Sequence, residues 1–173
     1  MYERILVPTD GSPAAVAAAL HAMELAQQMG SELFMLQVIP PYQIPVYLEY
    51  APVNLHSEKE YLRLCEQSAD GHLAMLAAQA EAVGVRCNRK AIFHLNAAQA
   101  ITDMASDLLC QLIVMGSHGR SGLGRLFLGS VTSRVLPLSR IPVLVHRAAE
   151  AELATAEGLL ADGSAAQGSG RGA

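Results

Sequence analysis

The sequence has no tryptophan, and aromatic residues make up only 5% of its 173 positions, although hydrophobic residues make up 51%. A core with so few large rings must consist mainly of Ala, Leu, Val, Ile and Met, which suits helices packed closely over a sheet. This length is sufficient for one domain of about 150 residues that buries roughly 70% of its unfolded surface. We therefore expect one compact domain with an appendage.

Cysteine, basic charge and long apolar runs are also scarce. Cys65, Cys87 and Cys110 cannot all pair within one chain, so no disulfide framework is predicted and a reducing compartment fits. With 12 basic and 16 acidic residues the net charge is −4, which disfavours a protein that coats DNA or another polyanion. No apolar run reaches the roughly 18 residues of a membrane span, and no signal-peptide stretch opens the chain. We expect a cytoplasmic protein whose partners are neither membranes nor nucleic acids.

Five short strand-like runs alternate with helical patterns along the chain. The strands are predicted at 4–8, 33–39, 85–93, 112–115 and 142–146, and the helices at 13–29, 57–83, 97–109 and 130–139. Ser12 and Asn96 are candidate N-caps, and Gly30 and Gly84 are candidate helix ends. Continuous apolar runs are typical of strands covered on both faces. The alternation predicts an α/β fold with a doubly wound parallel sheet, whose ligands bind at the carboxyl ends of the strands.

Two segments depart from this alternation. Prolines at 40, 41, 45 and 52 can continue neither a helix nor a central strand, so we expect a long loop there that could serve as a lid. From about residue 148 the composition changes to Ala, Glu, Gly and Ser, with room for a short Ala/Glu helix before the last eleven residues. We therefore predict a domain at 1–147 and a flexible tail at 148–173.

The most informative segment runs from Met115 to Ser130, between the fourth predicted strand and the fourth helix. Four glycines lie between positions 116 and 124, and glycine lets a ligand approach main-chain N–H groups without a Cβ in the way. The helix that starts at Ser130 adds unpaired N–H groups and the positive end of its dipole. Between residues 111 and 149 there is no acid, whereas Arg120, Arg125, Arg134 and Arg140 are all present. An anion site is predicted; the alternative is a glycine-rich surface turn with solvated arginines.

Two familiar phosphate-binding signatures do not describe this segment. A P-loop needs a Gly-Lys pair, and the sequence contains none. The dinucleotide fingerprint needs Gly-x-Gly-x-x-Gly after the first strand, whereas Gly119, Gly122 and Gly124 have the reverse spacing and follow the fourth. Neither Walker-type hydrolysis nor nicotinamide chemistry is supported.

The spacing Gly116-x2-Gly119-x9-Gly129-Ser130 resembles the Gly-x2-Gly-x9-Gly-Ser/Thr motif of the universal stress protein family, in the subgroup associated with ATP binding. The opening ILVPTDGS at 5–12 and the segment IPVLV at 141–145 resemble the first and last strands of that family, so the resemblance covers about 1–147. Residues 95–97 read Leu-Asn-Ala where many members have Gly-x-Pro. The resemblance implies a five-stranded parallel sheet of order 3-2-1-4-5 with helices on both faces.

The resemblance also implies the residues of an ATP site. Pro8, Thr9 and Asp10 would line the adenosine side, and Val38 would flank adenine. The ribose and phosphates would contact Met115, Gly116, His118 and Gly119, and the helix end would hold the phosphates through Gly129, Ser130, Val131 and Thr132. A Mg²⁺ ion could arrive with the nucleotide, held largely by phosphate oxygens.

Several of these residues have structural alternatives. Asp10 could cap the following helix, and Ser130 could satisfy helix amides, instead of contacting a ligand. His118 could be a solvated loop residue. The other histidines show no metal-ligand spacing, so no metal site is predicted, and no arrangement of catalytic side chains is visible beside the loop.

The main hypothesis is a universal stress protein that binds ATP as a regulatory ligand in the stress response. The resemblance implies a homodimer formed through the last strand, whose apolar edge would otherwise be open to pairing. One alternative is a slow ATPase or autophosphorylating enzyme, for which the candidate acceptors are Ser117, Ser121, Ser130 and Thr132. The other alternative is an interaction scaffold that works without nucleotide.

Overall fold

A computed structural model of the chain describes residues 2–42, 58–119 and 128–168, with side chains up to 163. The strands are β1 (Arg4–Pro8), β2 (Glu32–Ile39), β3 (Cys87–Phe93), β4 (Leu112–Gly116) and β5 (Val143–His146). The helices are α1 (Pro13–Met29), α2 (Glu58–Ala82), α3 (Ala97–Asp107), α4 (Ser130–Leu138) and α5 (Glu150–Gly168). The strands form one parallel sheet in the order 3-2-1-4-5, which confirms the predicted architecture.

The central strand β1 is buried on both faces. Ile5, Leu6 and Val7 are each 0% exposed. Leu6 pairs with Phe34 of β2 on one side and with Ile113 of β4 on the other, so β1 has strand neighbours as well as helices around it. A continuous apolar run is the expected sequence of such a strand.

The two faces of the sheet carry separate apolar cores. On one face Val7 and Met35 pack with Val16 of α1 and Leu73 of α2. The opposite face buries another set of residues: Leu6, Leu36, Ile101, Ile113 and Val135, with Ile101 on α3 and Val135 on α4. The helices that precede β3 in the chain, α1 and α2, therefore cover one face, and the helices that follow it, α3 and α4, cover the other, as in a doubly wound fold.

Local signals set the ends of α1 and α3. The Ser12 hydroxyl accepts a hydrogen bond from the Ala15 N–H at 3.3 Å, and Gly30 ends α1 with φ of 68°. Asn96 Oδ1 accepts from the Gln99 N–H at 3.2 Å at the start of α3. These bonds confirm the two predicted N-caps. Short polar side chains here replace the missing backbone partners of the first helical turn.

The edge strand β3 is shorter and more polar than the sequence pattern indicates. Residues 85–86 belong to the turn after α2, where the Val85 N–H bonds to the Ala80 carbonyl at 2.9 Å. Asn88, Arg89 and Lys90 are exposed, and Arg89 Nη1 lies 2.8 Å from Asp70 Oδ1 on α2. Charged side chains on an edge strand oppose pairing with another sheet.

The chain after β5 differs from the flexible tail expected at 148–173. It forms α5, which packs against α1 and α2 and extends to Gly168, further than a short Ala/Glu helix. Ala156 is 0% exposed, and Leu160 packs beside it against the same core as α1. The docking of α5 therefore depends on the surface that α1 and α2 offer.

A carboxylate holds the start of α5 to the sheet. Glu152 Oε2 accepts a hydrogen bond from the Ala149 N–H at 2.5 Å, which is half of a capping box, and its Oε1 lies 3.2 Å from Nε2 of His146 on β5. The His146 ring in turn stacks on His21 of α1, with the ring centroids 4.6 Å apart. The side chains of Glu152, His146 and His21 therefore join α5, β5 and α1.

The predicted loop at 40–52 lies mostly outside the described residues. Of its prolines, Pro40 and Pro41 are described, and the Pro40 carbonyl accepts a hydrogen bond from Tyr61 Oη of α2 at 3.0 Å. None of the described helices combines the length and apolar composition that crossing a bilayer requires.

Leu109 ends α3 in a conformation that leucine rarely adopts. Its φ is 54°, and the Cys110 N–H reaches back to the Ala105 carbonyl at 2.8 Å, as in a Schellman turn. The Leu109 side chain is 71% exposed, so shortening it removes little burial. We predict that Leu109→Gly raises the free energy of unfolding by about 0.5–1 kcal/mol in urea titrations. Leu95→Gly, at an exposed leucine without positive φ, is the control, and equal effects would contradict the prediction.

Glu152 makes stability depend on acid pH. The hydrogen bond from Ala149, and then the charges of His146 and His21, hold the pKa of Glu152 below its ordinary value in the folded protein. Unfolding restores the ordinary value of about 4.3, so the unfolded chain binds more protons as pH falls. This stabilisation is present above that value and is lost as pH falls through the lower, folded pKa.

We predict that Glu152→Gln lowers the free energy of unfolding at pH 7 and loses less stability between pH 5 and 3 than the parent does. Urea unfolding followed by circular dichroism at several pH values measures both effects. Glu157→Gln, at an exposed position of α5, is the matched control. If the free energy of unfolding of the parent and of Glu152→Gln fell equally between pH 5 and 3, this role of the carboxylate would be refuted.

Candidate functional site

A cavity of about 320 Å³ opens at the carboxyl ends of β1 and β4. The two strands are neighbours in the sheet, but α1 leaves β1 toward one face and α4 follows β4 on the other. The two connections diverge and leave a crevice between them. Ligands of doubly wound folds bind at such a reversal of strand order.

All twelve residues that the sequence analysis assigns to a site line this cavity. They are Pro8, Thr9, Asp10, Val38, Met115, Gly116, His118, Gly119, Gly129, Ser130, Val131 and Thr132. The fold brings them together from β1, β2, β4 and the start of α4. Their role in binding a ligand stays a prediction.

Four further lining residues were not foreseen: Ala15, Leu36, Ala97 and Ile101. Leu36 precedes Val38 by two positions on β2, and Ile101 follows Ala97 by four on α3. Each pair therefore points to one side of its element. That spacing could have suggested Leu36 once Val38 was chosen, but an apolar side chain of a core has the same pattern as one that faces a ligand.

Three hydrogen bonds hold the end of β4 against two other segments, β5 and the start of α4. Thr132 Oγ1 donates to the Gly116 carbonyl at 2.9 Å, which fixes the first turn of α4 to the strand. The Ser117 N–H donates to the His146 carbonyl at 2.9 Å, and the Gly129 N–H donates to the Ser117 carbonyl at 2.7 Å. The glycine-containing part of the cavity wall is therefore anchored to β5 and α4.

Backbones approach closely around Gly116. A Cβ on this residue would lie 2.9 Å from the Ala14 carbonyl oxygen of α1. Real Cβ atoms do not come this near to a backbone atom, so only glycine fits here unless α1 or β4 moves. The absent side chain thus sets the distance between α1 and β4 at the mouth of the cavity.

Asp10 shapes the turn between β1 and α1. Its Oδ1 accepts from the Ser12 N–H at 3.0 Å, whereas Ser12 itself is the N-cap of α1. A Cβ on Gly119 would lie 2.5 Å from Asp10 Oδ2, so the carboxylate sits directly over this glycine. The glycine of this turn, Gly11, has φ of 76° and lets the chain reverse. Asp10 therefore faces the cavity without being the helix cap.

The start of α4 offers unpaired amides to the cavity. Its N-cap is Gly129, which has no side chain to accept from the N–H groups of the first turn, and no acidic residue lies in that turn. Ser130, Val131 and Thr132 line the cavity at this helix end. An uncapped N-terminus with its dipole is a favourable environment for an anion.

The opposite end of the cavity is apolar. Leu36 and Ile101 are 1% and 3% exposed, and both belong to the core under α3. Met115 belongs to the same cluster, and Val38 packs against it. The cavity therefore has an apolar end and an end lined by glycine and helix amides.

The structure describes only part of the predicted loop. Arg120, Ser121, Gly122, Gly124 and Arg125 lie outside the described residues. Arg134 on α4 and Arg140 after it are described and exposed. Among the described lining residues, Asp10 and His118 carry the titratable side chains. In the described ranges, no three His, Cys, Asp or Glu residues are grouped so that they could hold a metal ion.

A sequence model described as the universal stress protein family matches residues 1–147. Universal stress protein MJ0531 of Methanocaldococcus jannaschii is 31% identical over 149 residues, which covers 84% of this chain and 82% of the relative. Universal stress protein MJ0577 of the same organism is 30% identical over 154 residues, covering 84% of this chain and 94% of the relative.

Solved structures show the same fold. The structure of MJ0577 matches with a TM-score of 0.72 at 29% identity, over 87% of this chain and 99% of that one. A universal stress protein in complex with cAMP has a TM-score of 0.62 at 22% identity, with coverage of 86% and 98%. One from Archaeoglobus fulgidus in complex with dAMP has 0.57 at 18%, with coverage of 83% and 97%.

The close approach at Gly116 generates a stability prediction. Gly116→Ala should lower the free energy of unfolding by about 1–3 kcal/mol, because the added methyl overlaps the Ala14 backbone. Gly158→Ala is the matched control, since nothing lies within 4 Å of its added methyl and alanine favours the α5 helix by about 0.5–1 kcal/mol. Urea titration measures both variants; a neutral Gly116→Ala would show that the contact is relaxed at no cost.

Proposed function

This chain belongs to the universal stress protein family, and on that premise we propose that it binds ATP as a regulatory ligand in the crevice between β1 and β4. Binding would act in the cytoplasm as part of the stress response, through surfaces that partner proteins read. The membership agrees with the resemblance found in the sequence. The nucleotide and its regulatory role are the proposal.

The observation that carries the proposal is the polarity of the cavity. Glycines and the uncapped start of α4 line one end, and apolar residues of the α3 core line the other. A nucleotide has the matching division, with anionic phosphates at one end and a flat, largely apolar base at the other. Relatives of this fold solved with cAMP and dAMP support an adenine base as the occupant.

Residue roles follow from that orientation. Val38, with Leu36 and Ile101 beside it, would flank adenine, and Pro8, Thr9 and Asp10 would line the adenosine. Met115, Gly116, His118 and Gly119 would contact the ribose and phosphates. The phosphates would be held by Gly129, Ser130, Val131 and Thr132, and any Mg²⁺ would be bound largely through phosphate oxygens.

A regulatory ligand fits the side chains better than rapid turnover does. Among the described lining residues Asp10 is the carboxylate, and in the proposed orientation it lies beside the adenosine rather than the terminal phosphate. General-base attack on that phosphate would need a group within about 3 Å of the attacking oxygen. We therefore propose a binding module, with at most weak hydrolysis.

The protein is also proposed to form a homodimer through β5. This strand pairs with β4 on one side and stands at the end of the sheet. Its side chains are half-buried, and Leu136 and Leu138 of α4, the helix that precedes it in the chain, are 40% and 47% exposed. An apolar edge strand of this kind can extend its sheet into a second copy.

Native mass spectrometry of freshly purified protein tests both proposals in one spectrum. We expect a dimer that carries an adenine nucleotide, and a melting temperature that rises by roughly 5–10 °C in ATP at about a hundred times the dissociation constant. Gly129→Val should abolish nucleotide binding, because a Cβ at this position would already lie 3.3–3.5 Å from backbone atoms of residues 117–119 in the cavity wall. Gly158→Val, in α5, should bind as the parent does.

Other outcomes identify the alternatives. Turnover or covalent label from radiolabelled ATP that is lost in Gly129→Val would establish an enzyme instead of a binding module. An unchanged melting temperature with ATP and no adenine species released by heat would establish a scaffold without nucleotide. A monomer that binds ATP would reject the dimer alone.

A further inference from the structure

Ser117 is a buried polar residue directly behind the cavity wall. It is 5% exposed, and it does not itself line the cavity. Its hydroxyl oxygen lies 2.9 Å from Nδ1 of the next residue, His118, which does line the cavity. The proposed roles of the loop residues leave this contact without a purpose.

The backbone of Ser117 is fixed on both sides. Its N–H donates to the His146 carbonyl at the end of β5, and its carbonyl accepts from the Gly129 N–H at the start of α4. The Ser117 side chain is therefore attached to a backbone position that β5 and α4 hold in place. A side chain bonded to it takes its orientation from the sheet rather than from the loop that follows.

The direction of the hydrogen bond follows from burial. In the described part of the chain, the Ser117 hydroxyl has a hydrogen-bond partner in Nδ1 of His118 and in no other atom. If Nδ1 carried the proton, it would donate to the serine, and the buried hydroxyl proton would lack an acceptor at a cost of about 1–3 kcal/mol. The serine hydroxyl therefore donates, and Nδ1 accepts.

A neutral imidazole that accepts at Nδ1 carries its proton on Nε2. We propose that Ser117 is a positioning residue that holds His118 in the Nε2–H tautomer, so that a neutral histidine offers an N–H donor to an anionic oxygen of the bound nucleotide. The tautomer is a property of the protein alone. The ligand oxygen rests on the proposed function.

The tautomer is tested without nucleotide, on the full chain labelled with ¹⁵N-histidine, by long-range ¹H–¹⁵N NMR at a pH where imidazole is neutral. The His118 signals, assigned by their loss in His118→Gln, should show a protonated Nε2 and an unprotonated Nδ1. Ser117→Ala should give shifts averaged over both tautomers, and Ser117→Thr should restore the parent pattern. A proton on Nδ1 in the parent, or unchanged shifts in Ser117→Ala, would overturn the proposal.

Calorimetric titration with ATP tests the consequence for binding. Ser117→Ala should weaken binding about three- to tenfold, the equivalent of one hydrogen bond, and Ser117→Thr should bind within about twofold of the parent. Ser106→Ala removes a hydroxyl that bonds within α3 to the Thr102 carbonyl, outside the cavity lining, and should change nothing.

The two measurements separate the two proposals. If the parent fails to bind any adenine nucleotide, the proposed function is rejected, and the NMR spectrum still decides the tautomer. If the parent binds and Ser117→Ala binds equally well, the positioning role is rejected and the proposed function stands. Should Ser117→Ala not fold, the parent spectrum and the Ser117→Thr titration decide the question.

Discussion

The end of β4 is the point on which the site depends. Gly116 approaches the α1 backbone so closely that no side chain fits, while its carbonyl accepts from Thr132 of α4. One residue later, Ser117 joins β5 to the start of α4. Close-packed protein interiors transmit the displacement of one segment to its neighbours instead of absorbing it. The crevice between β1 and β4 therefore takes its width from contacts between backbones.

This dependence on backbone explains the composition of the cavity wall. Glycines and the first amides of α4 form one end, and these groups recognise charge and shape more than a particular side-chain chemistry. The apolar end is continuous with the core under α3, so its walls are as rigid as that core. A ligand of the proposed kind would join the two halves of a doubly wound sheet across their switch point.

The appended helix shows that the folded unit extends beyond the family domain. α5 begins after residue 147, and its start is tied to β5 and α1 through Glu152, His146 and His21. The carbonyl of His146 also accepts from Ser117 behind the cavity wall. The appendage and the cavity wall thus share one residue of the last strand.

Local physics made much of this structure predictable from sequence. Continuous apolar runs indicate strands because both faces of a parallel sheet are covered, and the Ser12 and Asn96 caps follow from the needs of a helix end. The strand order and the twelve site positions came from the resemblance to a known family, which rests on the glycine spacing and on the first and last strands. Those positions share one cavity, although their contact with a nucleotide stays a prediction.

Only the tertiary structure decided the remainder. Leu36 and Ile101 line the cavity, but an apolar residue has the same sequence pattern whether it faces a helix or a ligand. The apolar residues of α5 are not gathered on one face of the helix, so no local signal predicts its docking. The contacts of His146 with His21 and Glu152 join residues far apart in the chain, and Ser117 can orient His118 only because β5 and α4 hold its backbone. Hydrophobic periodicity and helix caps depend on residues that are neighbours along the chain. Which side chains are buried, and which way they point, depends on residues that the fold brings into contact from distant parts of the chain.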